Sequence, residues 1–159
     1  MFSVRRRFDP QPTSPAVVLL ASAGAPFSKS AIRRARELAA GEPIAVLTIL
    51  TIYGSSFGLP NPGLMPTRRE RDEQFAVVQR AIRQLERQGC PVDGQVAATR
   101  SAGRMISKVA KARQVRYVVM DEPAGTGLRG LTNRTVTSTV RRRLGERAVL
   151  ELVASGTGP

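Results

Sequence analysis

Short apolar segments alternate with longer amphipathic ones along almost the whole chain. The apolar segments are typical of strands and comprise residues 15–22, 43–50, 92–99, 115–120 and 148–153. The amphipathic segments repeat apolar residues at helical spacing and comprise residues 27–40, 67–88, 102–113 and 131–144. Most of the apolar runs are continuous, which is typical of strands buried on both faces of a parallel sheet. The third run is polar and alternating, so we expect it near a sheet edge.

Capping residues mark the ends of the predicted helices. Ser28 is a candidate cap for the first helix, and Gly41 follows its last apolar position. Thr67 is a candidate cap for the second helix, which carries Glu70 in its first turn and stops at Gly89. These signals place the helix boundaries independently of the hydrophobic pattern.

The regular alternation of strands and helices predicts an α/β fold. We expect a Rossmann-like, open, parallel five-stranded sheet with helices on both faces and right-handed crossovers. Residues 15–154 would form this single domain, after a flexible basic N-terminal arm at 1–14 and before a short tail at 155–159. Ligands of such sheets bind at the carboxyl ends of the strands, where the strand order reverses. Here that predicts the loops after the first and fourth strands.

The composition excludes several kinds of chemistry. The 159 residues include no histidine, which rules out a histidine base, triad or metal site. Cys90 is the single cysteine, and we interpret it as a small apolar filler at a strand entrance. No catalytic set emerges, so we expect a protein that is not an enzyme. No signal peptide or membrane-length apolar run is present in the sequence, and we expect a soluble cytoplasmic protein.

Arginine clusters account for much of the formal net charge of +13. They comprise residues 5–7, Arg33 with Arg34 and Arg36, Arg68 with Arg69 and Arg71, and residues 141–143. Solvated helix faces are the favoured interpretation. The alternative is a surface that binds an anionic polymer such as nucleic acid, with an affinity that falls as salt rises. Aromatic residues make up only 4% of the chain, which leaves little for base stacking.

Two motifs surround the end of the fourth strand. Gly125, Gly127 and Gly130 form a literal Gly-x-Gly-x-x-Gly, but it follows the fourth strand rather than the first, and not in a tight turn. We therefore do not favour a dinucleotide site. Asp121 and Glu122 lie at the mouth of the same strand, where adjacent carboxylates would repel a phosphate.

The chain resembles the universal stress protein family over residues 15–153. Residues 17–28 look like the family's first strand and the turn after it, residues 118–120 match its fourth strand, and residues 140–153 resemble its closing helix and strand. The resemblance implies the strand order 3-2-1-4-5. It also implies a homodimer formed through the edge strand 148–153.

The resemblance also places a nucleotide site on this sequence. The ATP-binding branch of the family carries Gly-x2-Gly-x9-Gly-Ser/Thr after the fourth strand, where amides and a hydroxyl hold phosphates. In the favoured register the three glycines fall on Asp121, Ala124 and Arg134, and the hydroxyl falls on Thr135.

A second register retains two of the three glycines. It places them at Gly127 and Gly130 but puts the third on Val140, inside the apolar stripe of the last helix. The acid that the family carries after the first strand falls on Ala23, while the neighbouring Gly24 is retained. The candidate site residues are therefore Ala23, Gly24, Asp121, Gly125, Gly127, Arg129, Gly130, Arg134 and Thr135.

These departures imply a degenerate nucleotide site. Arg129 and Arg134 would replace the glycine amides as phosphate ligands, or their side chains would fill the space that the phosphate needs. We favour a non-catalytic stress-response or regulatory protein in which ATP binding is lost or weakened. The alternatives are a regulator that binds ATP or AMP through an arginine-rewired pocket, and a protein that binds anionic polymers. ATP is the one cofactor that the resemblance suggests, and it is disfavoured.

Overall fold

The computed structural model describes residues 14–52, 65–123 and 128–154, of which the side chains of 128–133 are not described. Strands and helices alternate without exception in these residues. They are β1 (Val18–Ser22), α1 (Lys29–Ala39), β2 (Ile44–Thr51), α2 (Arg68–Arg87), β3 (Val92–Thr99), α3 (Ala102–Ala112), β4 (Tyr117–Asp121), α4 (Leu128–Leu144) and β5 (Val149–Val153). The predicted N-terminal arm up to residue 13 and the predicted tail lie outside the described residues.

All five strands belong to one parallel sheet with the order β3-β2-β1-β4-β5. The fold class and the strand order predicted from the sequence are therefore confirmed. Val18 of β1 is in register with Ile44 of β2 on one side and with Tyr117 of β4 on the other. The polar β3 and the last strand β5 lie at the two edges, as expected. None of the described helices is both long and apolar enough to cross a membrane.

The sheet separates two hydrophobic cores. Leu19 and Ala21 of β1 pack into the core beneath α3 and α4, whereas Val18 and Leu20 pack into the core beneath α1 and α2. Each of these four side chains is almost fully buried. A strand with a helix layer on both sides needs an apolar residue at every position, which explains the continuous apolar run. Cys90 is a buried free cysteine of the second core, as predicted.

The predicted helix caps are present. The Ser28 hydroxyl accepts a hydrogen bond from the amide of Ala31 at 3.0 Å. Thr67 and Glu70 form a reciprocal capping box, in which Thr67 N donates to Glu70 Oε2 at 2.6 Å. Hydrogen bonds from the backbone and then from the hydroxyl of Thr67 hold the pKa of Glu70 below its usual value. Helix α1 ends in left-handed backbone at Ala40, one residue before the predicted stop.

The segment after β4 differs from the prediction. The predicted strand 115–120 and the predicted helix 131–144 leave residues 121–130 as a loop, but Asp121 is the last residue of β4 and α4 begins at Leu128. Gly130 therefore lies in the helix. Val136 and Val140 are buried in the core further along α4, and this packing stabilises a helix whose first turn the sequence does not predict.

A buried ion pair joins three segments at the amino-terminal end of the sheet. The side chain of Arg113 is only 2% exposed, and its two terminal nitrogens donate to the two carboxylate oxygens of Asp93 at 2.9 and 2.6 Å. Its Nε donates to the carbonyl of Ser14, just before β1. The pair connects the end of α3, the start of β3 and the chain that enters β1. No pattern in the sequence predicts this ion pair.

Helices α3 and α4 approach each other closely at Gly103. A Cβ placed on Gly103 would lie 2.7 Å from Thr139 Cβ and 3.3 Å from the carbonyl oxygen of Val136. No side chain fits in this space, so a glycine is required there. The contact positions the part of α4 that faces the carboxyl ends of the strands.

Candidate ligand-binding cavity

A cavity of about 390 Å³ lies at the carboxyl ends of β1 and β4. Strand β1 has β2 on one side and β4 on the other, so this is where the strand order reverses, and the topology predicts a ligand site there. The cavity is lined by the end of β1 and the loop into α1, by the end of β4 and by one stretch of α4. Its lining residues are Ala21, Ser22, Ala23, Ala25, Pro26, Phe27, Ser28, Met120, Asp121, Glu122, Pro123, Val136 and Thr137.

The carboxylate of Asp121 lies at the amino terminus of α1. Its Oδ2 accepts a hydrogen bond from the backbone amide of Ser28 at 3.0 Å, and its Oδ1 accepts a short one from the Ser28 hydroxyl. The same hydroxyl caps the helix through Ala31. An anion is stabilised at the positive end of a helix, and here the chain supplies that anion itself.

The charge of the cavity is opposite to that of the chain. Asp121 and Glu122 are the only ionisable side chains among the described residues that line it. Glu122 is exposed, and its backbone amide donates to the carbonyl of Val153 at 2.7 Å, which holds it beside the end of β5. A ligand in this cavity therefore meets carboxylates and no lysine or arginine from the described lining.

Apolar and hydroxyl groups form the rest of the wall. Met120 and Val136 are buried in the core below the cavity, and Phe27 packs against the other core. Thr137 is 7% exposed, and its hydroxyl donates to the carbonyl of Arg134 at 3.0 Å within α4. The cavity thus combines an apolar floor with acceptor groups at one end.

A second cavity of about 220 Å³ adjoins the first across Ala23. It lies between the loop after β1, the end of β2 and the start of α2. The carbonyl of Gly24 accepts a hydrogen bond from Gln74 Nε2 at 2.8 Å, and the amide of Gly24 donates to Ser22 Oγ at 3.2 Å. Gly24 has a φ of 120°, which favours glycine at this turn.

The structure brings only some of the predicted site residues together. Ala23 lines both cavities, Gly24 lines the second and Asp121 lines the first. Arg134 and Thr135 are exposed in α4 and line neither cavity.

Four further candidates cannot be compared in the same way. Arg129 and Gly130 belong to the first turn of α4, where side chains are not described, and Gly125 and Gly127 lie outside the described residues. Their assignment to a nucleotide site stays a prediction.

Several lining residues were not singled out from the sequence. Ser28 was recognised as a helix cap but not as a partner of Asp121, which is 93 positions away. Met120 and Ser22 were available from the switch-point rule, since both lie at strand ends. Val136 and Thr137 carry no local signal, because their place depends on where α4 crosses the sheet. Among the described residues, no three metal-binding side chains cluster.

Solved structures with the same fold include several universal stress proteins. A member of that family from Burkholderia pseudomallei matches with a TM-score of 0.60 and 17% identity, covering 91% of this chain and 98% of that one. The universal stress protein from Archaeoglobus fulgidus, solved in complex with dAMP, matches with a TM-score of 0.60 and 16% identity, covering 89% of this chain and 98% of that one. A family member from Arabidopsis thaliana with AMP bound matches with a TM-score of 0.57 and 14% identity, covering 90% of this chain and 94% of that one.

At the level of sequence alone, no protein-family model and no curated protein matches the chain. The resemblance inferred from its motifs is nevertheless matched by structures over about nine tenths of its length. The chain has the fold of the universal stress proteins.

Proposed function

We propose that this chain is a non-catalytic regulatory protein in which the affinity for ATP is lost or much weakened. One observation carries the proposal: the carboxylate of Asp121 holds the amide and hydroxyl donors of Ser28 at the amino terminus of α1. A phosphate in the cavity would have to compete with a covalently attached anion for these donors.

Electrostatics support the same conclusion. Fold neighbours have been solved with dAMP and with AMP, so the fold accommodates nucleotides. Two like charges 4 Å apart repel each other by about 4 kcal/mol near a protein surface. Asp121 and Glu122 would impose such repulsion on a polyphosphate, and no basic group of the described lining offsets it.

Among the described residues that line the cavity we find no competent base and nucleophile pair, which supports a regulatory rather than a catalytic role. The chain has no histidine. The Ser28 hydroxyl faces a carboxylate but is engaged as a helix cap, accepting from Ala31 at 3.0 Å.

We expect calorimetric titration with MgATP and AMP at moderate salt to give no saturable binding at one site per chain. Asp121→Asn should raise the affinity for ATP at least tenfold, because it removes a charge while retaining an acceptor for Ser28. Glu86→Gln is the matched control, since Glu86 is an exposed acid in the last turns of α2.

Tight, saturable binding of ATP by the unmodified protein would contradict the proposal. Arg134→Gly then separates the two alternatives for that arginine. Loss of binding would identify Arg134 as a phosphate ligand, and a gain would show that its side chain obstructs the site.

An anionic polymer as partner is the second candidate function. Exposed arginines on three helices favour it: Arg33 and Arg36 on α1, Arg68 and Arg69 on α2, and residues 141–143 on α4. Heat of ATP binding that appears only at low salt and disappears at moderate salt would indicate this surface rather than the cavity.

We further propose a homodimer formed through β5. This strand is an edge of the sheet, and Val149 on it is 54% exposed. An open apolar edge strand favours pairing with another chain. We expect sedimentation equilibrium to show a dimer, and Val149→Lys to weaken it at least tenfold.

Met65→Lys is the matched control for the dimer, because Met65 is 42% exposed and precedes α2, away from the β5 edge. It should leave the dimer intact. A monomer at high micromolar concentration, or equal effects of the two lysine variants, would exclude β5 as the interface.

A further inference from the structure

We infer that the cavity between β1 and β4 selects an uncharged or cationic ligand, a nucleoside in preference to its phosphate esters, and that Asp121 and Glu122 set this selectivity. The inference rests on the proposed function and deepens it. It concerns which ligands the cavity binds when it disfavours phosphate, whereas the proposed function concerns the loss of ATP affinity.

The carboxylate of Asp121 offers a ligand only hydrogen-bond acceptors. A carboxylate offers about four acceptor positions. Two hydrogen bonds from Ser28 fix the orientation of the group, one to each oxygen. The remaining positions are acceptors only, so a ligand must bring donors such as hydroxyl or amino groups. A phosphate brings only acceptors and negative charge.

The size and the walls of the cavity suit a small ring-shaped ligand. Small-molecule sites occupy about 300–1,000 Å³ and are mostly apolar with a few polar groups that fix orientation. At about 390 Å³, this cavity is at the small end of that range. Phe27, Met120 and Val136 offer apolar surface to a flat ring, and the two carboxylates lie at the carboxyl end of β4. A ring that carries hydroxyl donors matches this arrangement.

The charge of the cavity lining differs in sign from the net charge of the chain. The chain has a formal net charge of +13, so phosphorylated ligands are attracted to it from a distance. The lining nevertheless carries two acids and no described base. Discrimination against phosphate therefore arises inside the cavity, and within its described lining Asp121 and Glu122 are the two side chains whose replacement should reverse it.

The experiment compares adenosine, AMP and ATP by calorimetry at one moderate salt concentration. We expect adenosine to bind at one site per chain, at least tenfold more tightly than AMP. Asp121→Asn should reduce this preference at least tenfold. Glu122→Gln should reduce the preference for adenosine as well. This variant leaves the contacts between Ser28 and Asp121 intact, so it tests the inference even if Asp121→Asn proves unstable. Glu86→Gln should leave the preference unchanged.

Three results would overturn the inference. They are AMP binding as tightly as adenosine, no binding of adenosine, and an unchanged preference for adenosine over AMP in both cavity variants. Weak ATP binding together with no nucleoside binding would overturn only this inference. Tight ATP binding would overturn the proposed loss of ATP affinity as well.

Discussion

Asp93→Ala is expected to lower the free energy of unfolding by about 3 kcal/mol. Arg113 is 2% exposed, so removal of Asp93 leaves a buried guanidinium without its carboxylate. Asp93 itself is 42% exposed, which places the expected loss at the lower end for broken buried pairs. Urea denaturation followed by circular dichroism measures the effect.

Two further variants test the explanation. Arg113→Met combined with Asp93→Ala should recover much of the stability, because no unpaired charge stays buried. Glu73→Ala breaks the exposed pair between Arg69 and Glu73, which are joined at 3.0 Å, and should leave stability nearly unchanged. If Asp93→Ala behaves like Glu73→Ala, the buried pair does not stabilise the fold.

Gly103→Ala is expected to destabilise the protein by about 2 kcal/mol. The added Cβ would lie 2.7 Å from Thr139 Cβ, and a Cβ has no rotamer by which to move away. Helices α3 and α4 must therefore separate, or the backbone must shift. The same change would displace Val136, which lines the candidate cavity, so ligand affinity should fall together with stability.

A double-mutant cycle with Thr139→Gly isolates this contact. Removal of the Thr139 Cβ opens the space that the new methyl group needs, so Gly103→Ala should cost at least about 1 kcal/mol less in that background. An equal cost in both backgrounds would show that the effect does not arise from the Thr139 side chain and would leave the carbonyl of Val136, 3.3 Å from the added Cβ, as the obstructing atom.

The two ends of the sheet have separate roles in this protein. The amino-terminal end holds the buried pair of Arg113 and Asp93, which joins three segments of the chain. The carboxyl end holds the cavity and the bond between Ser28 and Asp121. Variants at the first end should change stability with little effect on ligand choice. Variants at Asp121 and Glu122 should do the reverse.

The strands, the edge position of the polar β3 and the helix caps could be predicted from the sequence because each depends on a pattern within one segment, whereas the strand order was implied by the family resemblance. A continuous apolar run implies a strand covered on both faces, as for residues 18–21. A capping box needs only Thr67 and Glu70, three positions apart. The place of the cavity followed from the same alternation, since the switch point is a property of topology.

The start of α4 and the chemistry of the cavity were decided by tertiary structure. Glycines near residue 130 indicate a loop, yet α4 begins at Leu128 and includes Gly130, and the burial of Val136 and Val140 against the sheet stabilises this helix. The bond between Ser28 and Asp121 spans 93 positions, and that between Asp93 and Arg113 spans 20. No local pattern encodes such pairs, because they exist only once parallel strands bring their ends to a common edge.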